Sequence, residues 1–345
     1  VLGAFIDLDE AIAQTGADVV AISTPPVTHH ALALKALQHG CHILCEKPFA
    51  ASVNEAEKML QAATRAGIVH MVGHEFRFVP LRAAIARALN SGIVGEPRLF
   101  AVILFNSYVA HFAQNLPAWW FDPGAEGGWL GASGSHVIDQ VRTELGEIVS
   151  VSAVLPQVAT GNAKVEDSFV IRMSLANGAE GTVQQTGGAF GPPAELYRVA
   201  GSRGSLWSDS GQIHVATQEA TQDIVPGAEF ALPTPRQGTD PRQQTAEWQR
   251  LAAVELAPYT QLCLHLRAAI ERGDLHRDPL APQPLSMAWQ VCGCSRQFVG
   301  LHWRGGRSCP WCLGAGPFLL KEDDGAIDHP TFHHDHCSRH QTNSE

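Results

Sequence analysis

The chain has 345 residues, 45% hydrophobic and 17% charged, with 24 Lys and Arg against 34 Asp and Glu for a formal net charge of −10. That composition supports a sizeable core and argues against disorder, while the acidic balance lacks the basic field that meets nucleic-acid phosphates. Apolar runs such as Val19 to Ile22 and Leu99 to Phe105 are far too short to span a bilayer.

The length suggests two domains. The chain begins Val1-Leu2-Gly3 with no initiator Met and no basic-then-apolar leader, so neither a secretory precursor nor a full-length start is expected. Cys41, Cys45 and Cys263 lie in well-patterned segments, whereas Cys292, Cys294, Cys309, Cys312 and Cys337 crowd the end. A disulfide scaffold does not suit a chain this long and apolar, and a reducing, cytoplasmic setting is expected.

Up to residue 80, strand and helix signals alternate. Asp18 to Thr24 is a short apolar run closed by Pro25-Pro26, followed by a helix with Ala33, Ala36 and Leu37 inside and Gly40 as its stop. His42 to Cys45 is a second strand, ended by Glu46-Lys47-Pro48. Ser52 caps the next helix, where Ala56, Met59, Leu60 and Ala63 follow the helical period and Gly67 ends it. Val69 to Val72 is a third strand. Strands apolar on both faces and joined by helices indicate a parallel sheet with right-handed crossovers.

After about residue 95 the pattern changes. Arg98 to Phe105, Ile148 to Val158, Ser168 to Leu175, Gly181 to Thr186, Leu196 to Ala200 and Gln212 to Ala216 read as strands, several separated by short Gly, Asn and Ser turns. Consecutive strands without intervening helices predict an antiparallel sheet. A helix is expected from Pro258 to Arg272, with Leu262, Leu266 and Ile270 on one stripe and Gly273 at its end. Beyond about Ala281 the regularity is lost.

Three patterns carry candidate chemistry. Ser23-Thr24-Pro25-Pro26 with His29, and then Cys45-Glu46-Lys47-Pro48, follow the carboxyl ends of parallel strands, where open α/β sheets bind ligands. Taken singly, each is equally a turn with a surface ion pair. The third, Gly127-Gly128-Trp129-Leu130-Gly131-Ala132-Ser133-Gly134-Ser135-His136, is a glycine-rich approach to a helix bearing His136 and Asp139. Its plain alternative is a loop with a capping Ser and a core histidine. Trp119, Trp120 and Phe121 either wall a sugar-like ligand or pack between domains.

In this order, with Gly73-His74-Glu75-Phe76-Arg77-Phe78 between them, these motifs resemble the glucose–fructose oxidoreductase / inositol dehydrogenase / MocA-like (Gfo/Idh/MocA) family of nicotinamide-dependent dehydrogenases, from about Asp7 to Asp274. The resemblance implies α/β plus α+β architecture. A partial Rossmann-like parallel-sheet domain would occupy residues 1–94, and an open, mainly antiparallel substrate and oligomerisation domain residues 95–280. It further implies NAD or NADP as cofactor, with Thr24, Pro25 and His29 on its adenosine and ribose side. Glu46 would lie near the nicotinamide ribose and Arg77 near the nicotinamide end. Lys47 would hydrogen-bond the reacting oxygen, Pro48 would fix the turn (often cis in this family), and His136 would transfer the proton. The implied substrate is a polyol, cyclitol or sugar derivative oxidised or reduced at a secondary alcohol or carbonyl, and a homo-oligomer through the second-domain sheet is expected. The alternative is a catalytically silent sensor of a dinucleotide or sugar with the same fold.

Three departures from the family pattern stand out. The strand, Gly-x-Gly-x-x-Gly turn, helix and second strand that open the family's dinucleotide domain are missing before Val1; at roughly 30 residues per βαβ unit, on the order of 60 residues of an N-terminally truncated chain are expected there. The residue that would select NAD or NADP belongs to that part. Ala132 stands where many members carry an aspartate that shares proton transfer, leaving His136 alone or aided by Ser133 or Ser135. Residues 281–345 read as an atypical tail, from either a change of reading frame or a fused unrelated sequence. Cys309 and Cys312 have a two-residue spacing that suits zinc, but His333, His334, His336, Cys337 and His340 lack the paired spacing of a finger's second half, and no metal is assigned.

Overall fold

Asp7 stays extended and its carboxylate accepts the Glu10 backbone N–H at 3.0 Å, which starts α1 (Leu8–Thr15); left-handed Gly16 stops it. The computed structural model describes residues 3–112, 116–159, 164–209, 211–234, 252–273 and 303–304. Next come β1 (Val19–Ile22), α2 (His29–Gln38), β2 (His42–Cys45), α3 (Val53–Ala66), β3 (His70–Val72) and α4 (Pro80–Asn90). The Ser52 hydroxyl caps α3 by accepting the Glu55 N–H, and Gly67, in the left-handed region, ends it.

The three strands pair in parallel in the order β1-β2-β3. On one face α2 and α3 bury Ala33, Ala36, Met59 and Ala63 against Ile22, Ile43, Cys45 and Val72. The other face is covered from far along the chain. Helix α7 (Ala257–Arg272) returns after the second sheet, and its Leu262, Leu266 and Ala269 pack on Leu44, Val69, Met71 and Phe78. Burying a leucine such as Leu262 contributes roughly 1.5–3 kcal/mol. This double cover is why the strands are apolar throughout. Helices α1 and α4 carry little apolar pattern: α1 buries Ile12 alone, and α4 faces the core mainly with alanines.

The second sheet is built from β4 (Pro97–Phe105), β5 (Ile148–Val154), β6 (Ser168–Leu175), β7 (Glu180–Thr186), β8 (Ala194–Gly201), β9 (Gly204–Asp209), β10 (Gln212–Thr217), β11 (Thr221–Ile224) and the short β12 (Trp303–Arg304). Their order is β11-β10-β9-β8-β4-β7-β6-β5-β12. The sheet is mainly antiparallel, as expected, with one parallel pair between β4 and β7, which are not consecutive in the chain. The excursion through α5 (Tyr108–Phe112) and α6 (Ser135–Leu145) carries the chain from the centre of the sheet to β5, and β6 and β7 bring it back beside β4. β5 ends at Val154, short of the expected Val158, and β9 and β11 are additional strands.

One face of this sheet is a core: Phe100, Val102, Phe169, Val183, Val199 and Leu206 pack with Ile85 of α4 and Val137 and Val141 of α6. The opposite face leaves Leu99 and Leu196 exposed. Among the described residues no helix is long and apolar enough to cross a membrane. The cysteine and histidine cluster at 309–340, and most of the tail from 281, lie outside the described residues.

Candidate active site at the carboxyl ends of the parallel strands

The end of β1 turns through Pro25 into a short 3-10 turn, Pro26–Thr28. Exposed Thr24 lies 2.5 Å, Oγ1 to Oγ1, from Thr28, whose hydroxyl donates to Pro25 O at 2.8 Å. His29 is fully buried: Nε2 is 2.7 Å from Thr24 O, and Nδ1 is 3.2 Å from Phe49 O. Its ring therefore ties the loop after β1 to the loop after β2, while Thr24 and Pro25 remain at the surface.

The end of β2 supplies Glu46 and Lys47, with a cis bond between Lys47 and Pro48. Lys47 Nζ donates to Ala132 O at 3.2 Å, linking the parallel sheet to the glycine-rich segment. The Glu46 carboxylate accepts the Lys47 backbone N–H at 3.2 Å and also bonds the hydroxyl of Tyr259 on α7. A Cβ on Gly73 would stand 2.8 Å from Glu46 Oε1, so the close approach of strand end and carboxylate needs glycine there. Burial, reinforced by the Glu46 charge, holds the Tyr259 hydroxyl above its ordinary range.

After β3 a 3-10 turn, Glu75–Phe78, drives polar side chains inward. His74, Glu75 and Arg77 are all buried there, facing α6. Arg77 grips Asp139 with a two-pronged bond, Nε to Oδ2 at 2.6 Å and Nη2 to Oδ1. Burial alone would raise the Asp139 carboxyl, yet the Arg77 guanidinium, followed by His74, holds it below its usual range. Arg77 is thus committed to a buried ion pair joining the two sheets' elements.

His136 lies one helical turn before Asp139, so both project from the same side of α6. Its Nδ1 is 3.5 Å from His74 Nδ1, its Nε2 is 3.9 Å from Glu75 Oε1, and its ring centroid is 4.4 Å from that of Phe76. Burial, then the charges of Lys47, His74 and Arg82, hold the imidazole well below its ordinary value. Burial likewise brings His74 down to about 4 and pushes Glu75 up to about 7, with Lys47 opposing the latter. On the α4 side a narrow cleft reaches these rings, lined among others by Arg82, Gln140 and Glu144.

The glycine-rich segment is already helical: Leu130–Gly134 forms a π-helical turn running straight into α6, so neither a loop nor a capping Ser precedes His136. Its glycines serve packing. A Cβ on Gly127 would meet the Trp119 and Trp120 carbonyls at 2.3 and 2.6 Å, and one on Gly134 would press on Leu130 and Phe169. Trp120 and Phe121 pack against the core of the nine-stranded sheet, with Trp120 6.0 Å from Tyr108 and 6.4 Å from Trp129 between centroids. Ser133 donates to Gln185 at 2.9 Å, whereas the buried Ser135 hydroxyl has no partner.

Four site residues received no role from sequence: His74, Glu75, Glu255 and Tyr259. The first two sit in the motif after β3, and a strand end facing a ligand cleft was a signal for them. Glu255 and Tyr259 arrive with α7, which carries a packing stripe and nothing that marks its other side. Glu255 is exposed, and the partial loss of water around its carboxyl raises it, with Lys47 opposing and Glu46 adding.

Known proteins with this sequence and fold agree with one another. Residues 1–74 match the model of an oxidoreductase family with an NAD-binding Rossmann fold, and residues 83–207 match the Gfo/Idh/MocA C-terminal domain. Levoglucosan dehydrogenase of Pseudarthrobacter phenanthrenivorans is 30% identical over 213 residues, 54% of this chain and 54% of that protein. The NADP(+)-dependent scyllo-inositol 2-dehydrogenase IolU of Bacillus subtilis is 42% identical over 97 residues, 28% of this chain and 29% of that one. The chain spans about half the length of curated relatives such as the first of these. Among solved structures, an oxidoreductase domain protein from Kribbella flavida superposes with TM-score 0.67 at 25% identity, over 83% of this chain and 78% of that one. Levoglucosan dehydrogenase in complex with NADH and L-sorbose gives TM-score 0.64 at 24% identity, over 84% and 81%. Its two matched segments, which cover more than half of its residues, and its pair of sheets make this chain a member of the Gfo/Idh/MocA oxidoreductase family.

Proposed function

We propose that the protein is an NAD(P)-dependent dehydrogenase acting on a secondary alcohol or carbonyl of a polyol, cyclitol or sugar derivative. The observation that carries this is the meeting of Lys47, from the end of a parallel strand, with the segment that bears His136. Named relatives act on levoglucosan, D-apiose and scyllo-inositol, all polyhydroxylated rings or sugars. The residues present fit the nicotinamide end of a dinucleotide: Thr24, Pro25, Glu46 and Lys47 follow the carboxyl ends of β1 and β2, and Gly73 lets the Glu46 carboxylate lie close against the end of β3. Among the described residues no glycine-rich strand-to-helix turn offers a pyrophosphate cradle.

When bound, the nicotinamide supplies the acceptor or donor of hydride. The protein must orient the carbon and handle the proton. The Lys47 ammonium has three N–H donors and uses one on Ala132 O, so it can also hold the reacting oxygen and stabilise developing alkoxide charge. His136 is neutral in its buried setting and ready to accept the hydroxyl proton during oxidation. Residues 1–94 would hold the dinucleotide and residues 95–280 the substrate. Chains would associate through the open face of the large sheet, where Leu99 and Leu196 stand exposed.

Polyol oxidation with NAD+ and NADP+, together with direct dinucleotide binding, tests the assignment. Lys47→Ala is expected to cost about 10²-fold in kcat, the effect of one lost oxyanion donor, and His136→Ala at least as much. Turnover that survives both substitutions would refute these roles. Binding of dinucleotide with no turnover on any polyol would replace the enzyme with a silent sensor.

A further inference from the structure

Glu75 is a buried carboxyl at 5% exposure whose Oε2 has no hydrogen-bond partner. An acceptor left unpaired in the interior is unfavourable, and a structural role would be better served by an apolar or fully bonded side chain. Its other oxygen lies 3.9 Å from His136 Nε2. Among the described residues, the charged and titratable groups facing the carboxyl are Lys47 and Glu46 from the end of β2, Glu255 from the turn before α7 and Tyr259 of α7. His136 meets Glu75 from α6 and is itself faced by Lys47, His74 and, from α4, Arg82. Nothing at residue 132, one turn before His136, can accept a proton.

We propose that Glu75 takes over from His136 the proton released by the substrate, the task for which Ala132 offers no carboxylate. This rests on the reading of Lys47 and His136 given above. Because Nδ1 of His136 faces buried His74, the proton enters and leaves at Nε2. In oxidation the substrate O–H bond breaks as an N–H bond forms at Nε2. The carbon's C–H electron pair leaves as hydride to the oxidised nicotinamide. The Nε2–H bond then breaks as an O–H bond forms on Glu75 Oε1, restoring neutral imidazole. Reduction runs the same steps backwards. The direction is favourable: burial, then the charges of Lys47 and Arg82, disfavours an imidazolium, while burial raises the Glu75 carboxyl to about 7 and so makes it a better proton acceptor than an ordinary carboxylate. Glu75 acts through His136 and is a positioning and proton-holding residue.

The test needs two readouts. In the 345-residue chain with labelled histidine, the His136 ring resonance, identified by its loss in His136→Gln, is followed against pH by NMR. It should show an inflection near pH 7 as Glu75 ionises, absent in Glu75→Gln and shifted in Glu75→Asp. An inflection that persists in Glu75→Gln overturns the proposal. In turnover, Glu75→Gln should lower kcat by about 10²-fold, the scale of one proton-transfer group, leave KM for the polyol unchanged and remove one ionisation from the kcat profile. Glu75→Asp should recover part of the rate, which loss of packing alone would not allow. Turnover abolished by His136→Ala but untouched by Glu75→Gln overturns the role of Glu75, whereas turnover surviving His136→Ala overturns the underlying site assignment instead.

Discussion

Asp139→Ala should be far more damaging than removing both members of its ion pair. Asp139 and Arg77 are exposed by 2% and 8%, and their two-pronged bond joins the turn after β3 to α6. Deleting the carboxylate alone takes from the buried guanidinium the counter-charge that it grips, a loss of about 3–5 kcal/mol. With about 2–4 °C of melting temperature per kcal/mol at this chain size, the midpoint should fall by roughly 6–20 °C. The double change Arg77→Met with Asp139→Leu removes both desolvation costs and should remain within about 1 kcal/mol of the parent or exceed it. Thermal melts followed by circular dichroism, run as a double-mutant cycle, measure this. A double variant as unstable as Asp139→Ala would refute the reasoning, because packing rather than charge would then be what was lost. The pH dependence provides a second check. The folded Asp139 carboxyl lies below its ordinary value, so its contribution is complete above the unfolded value of about 3.9 and is lost as pH falls through the lower folded one.

Glu144 should give the opposite slope. Burial pushes its carboxyl up to about 8, against the opposing hydrogen bond from the Tyr197 hydroxyl. Stability should therefore fall as pH rises from about 4.5 to 8, by at most about 5 kcal/mol, and Glu144→Gln should flatten that slope in urea melts at pH 5 and 9. Gly128→Ala should cost more than about 1 kcal/mol in the same melts. Gly128 has a φ of 125° and an added Cβ would lie 2.2 Å from Glu166 Oε1, so a melt unchanged by the substitution would contradict the need for glycine at this position. Leu99→Arg with Leu196→Arg should convert an oligomer to monomer in light scattering without lowering the melting temperature; unchanged mass would remove the large sheet's open face as the interface.

Elements with local signals were legible in the sequence. The Ser52 cap, the Gly67 and Gly273 stops and the apolar run at His42 to Cys45 act through neighbours only a few residues away, and the structure contains each of them. Helix α4 escaped because alanines provide little contrast between its faces. The glycine-rich segment was legible as a close approach, but what it approaches is the Trp119 and Trp120 backbone and the ring of Phe169.

The sequence by itself determined the family's architecture and the placement of Glu46, Lys47 and His136 on strand end and helix, since period, caps and turn residues are local physics. Tertiary structure alone decided that β4 lies parallel to β7, that α7 brings Tyr259 to Glu46, and that Glu75 confronts His136. Such meetings depend on which apolar faces remain uncovered after the local elements form, and on where burying those faces carries the polar groups attached to them. The protonation of the site follows from the same burial. Burial lowers the His136 imidazole well below its ordinary value and raises the Glu75 carboxyl to about 7.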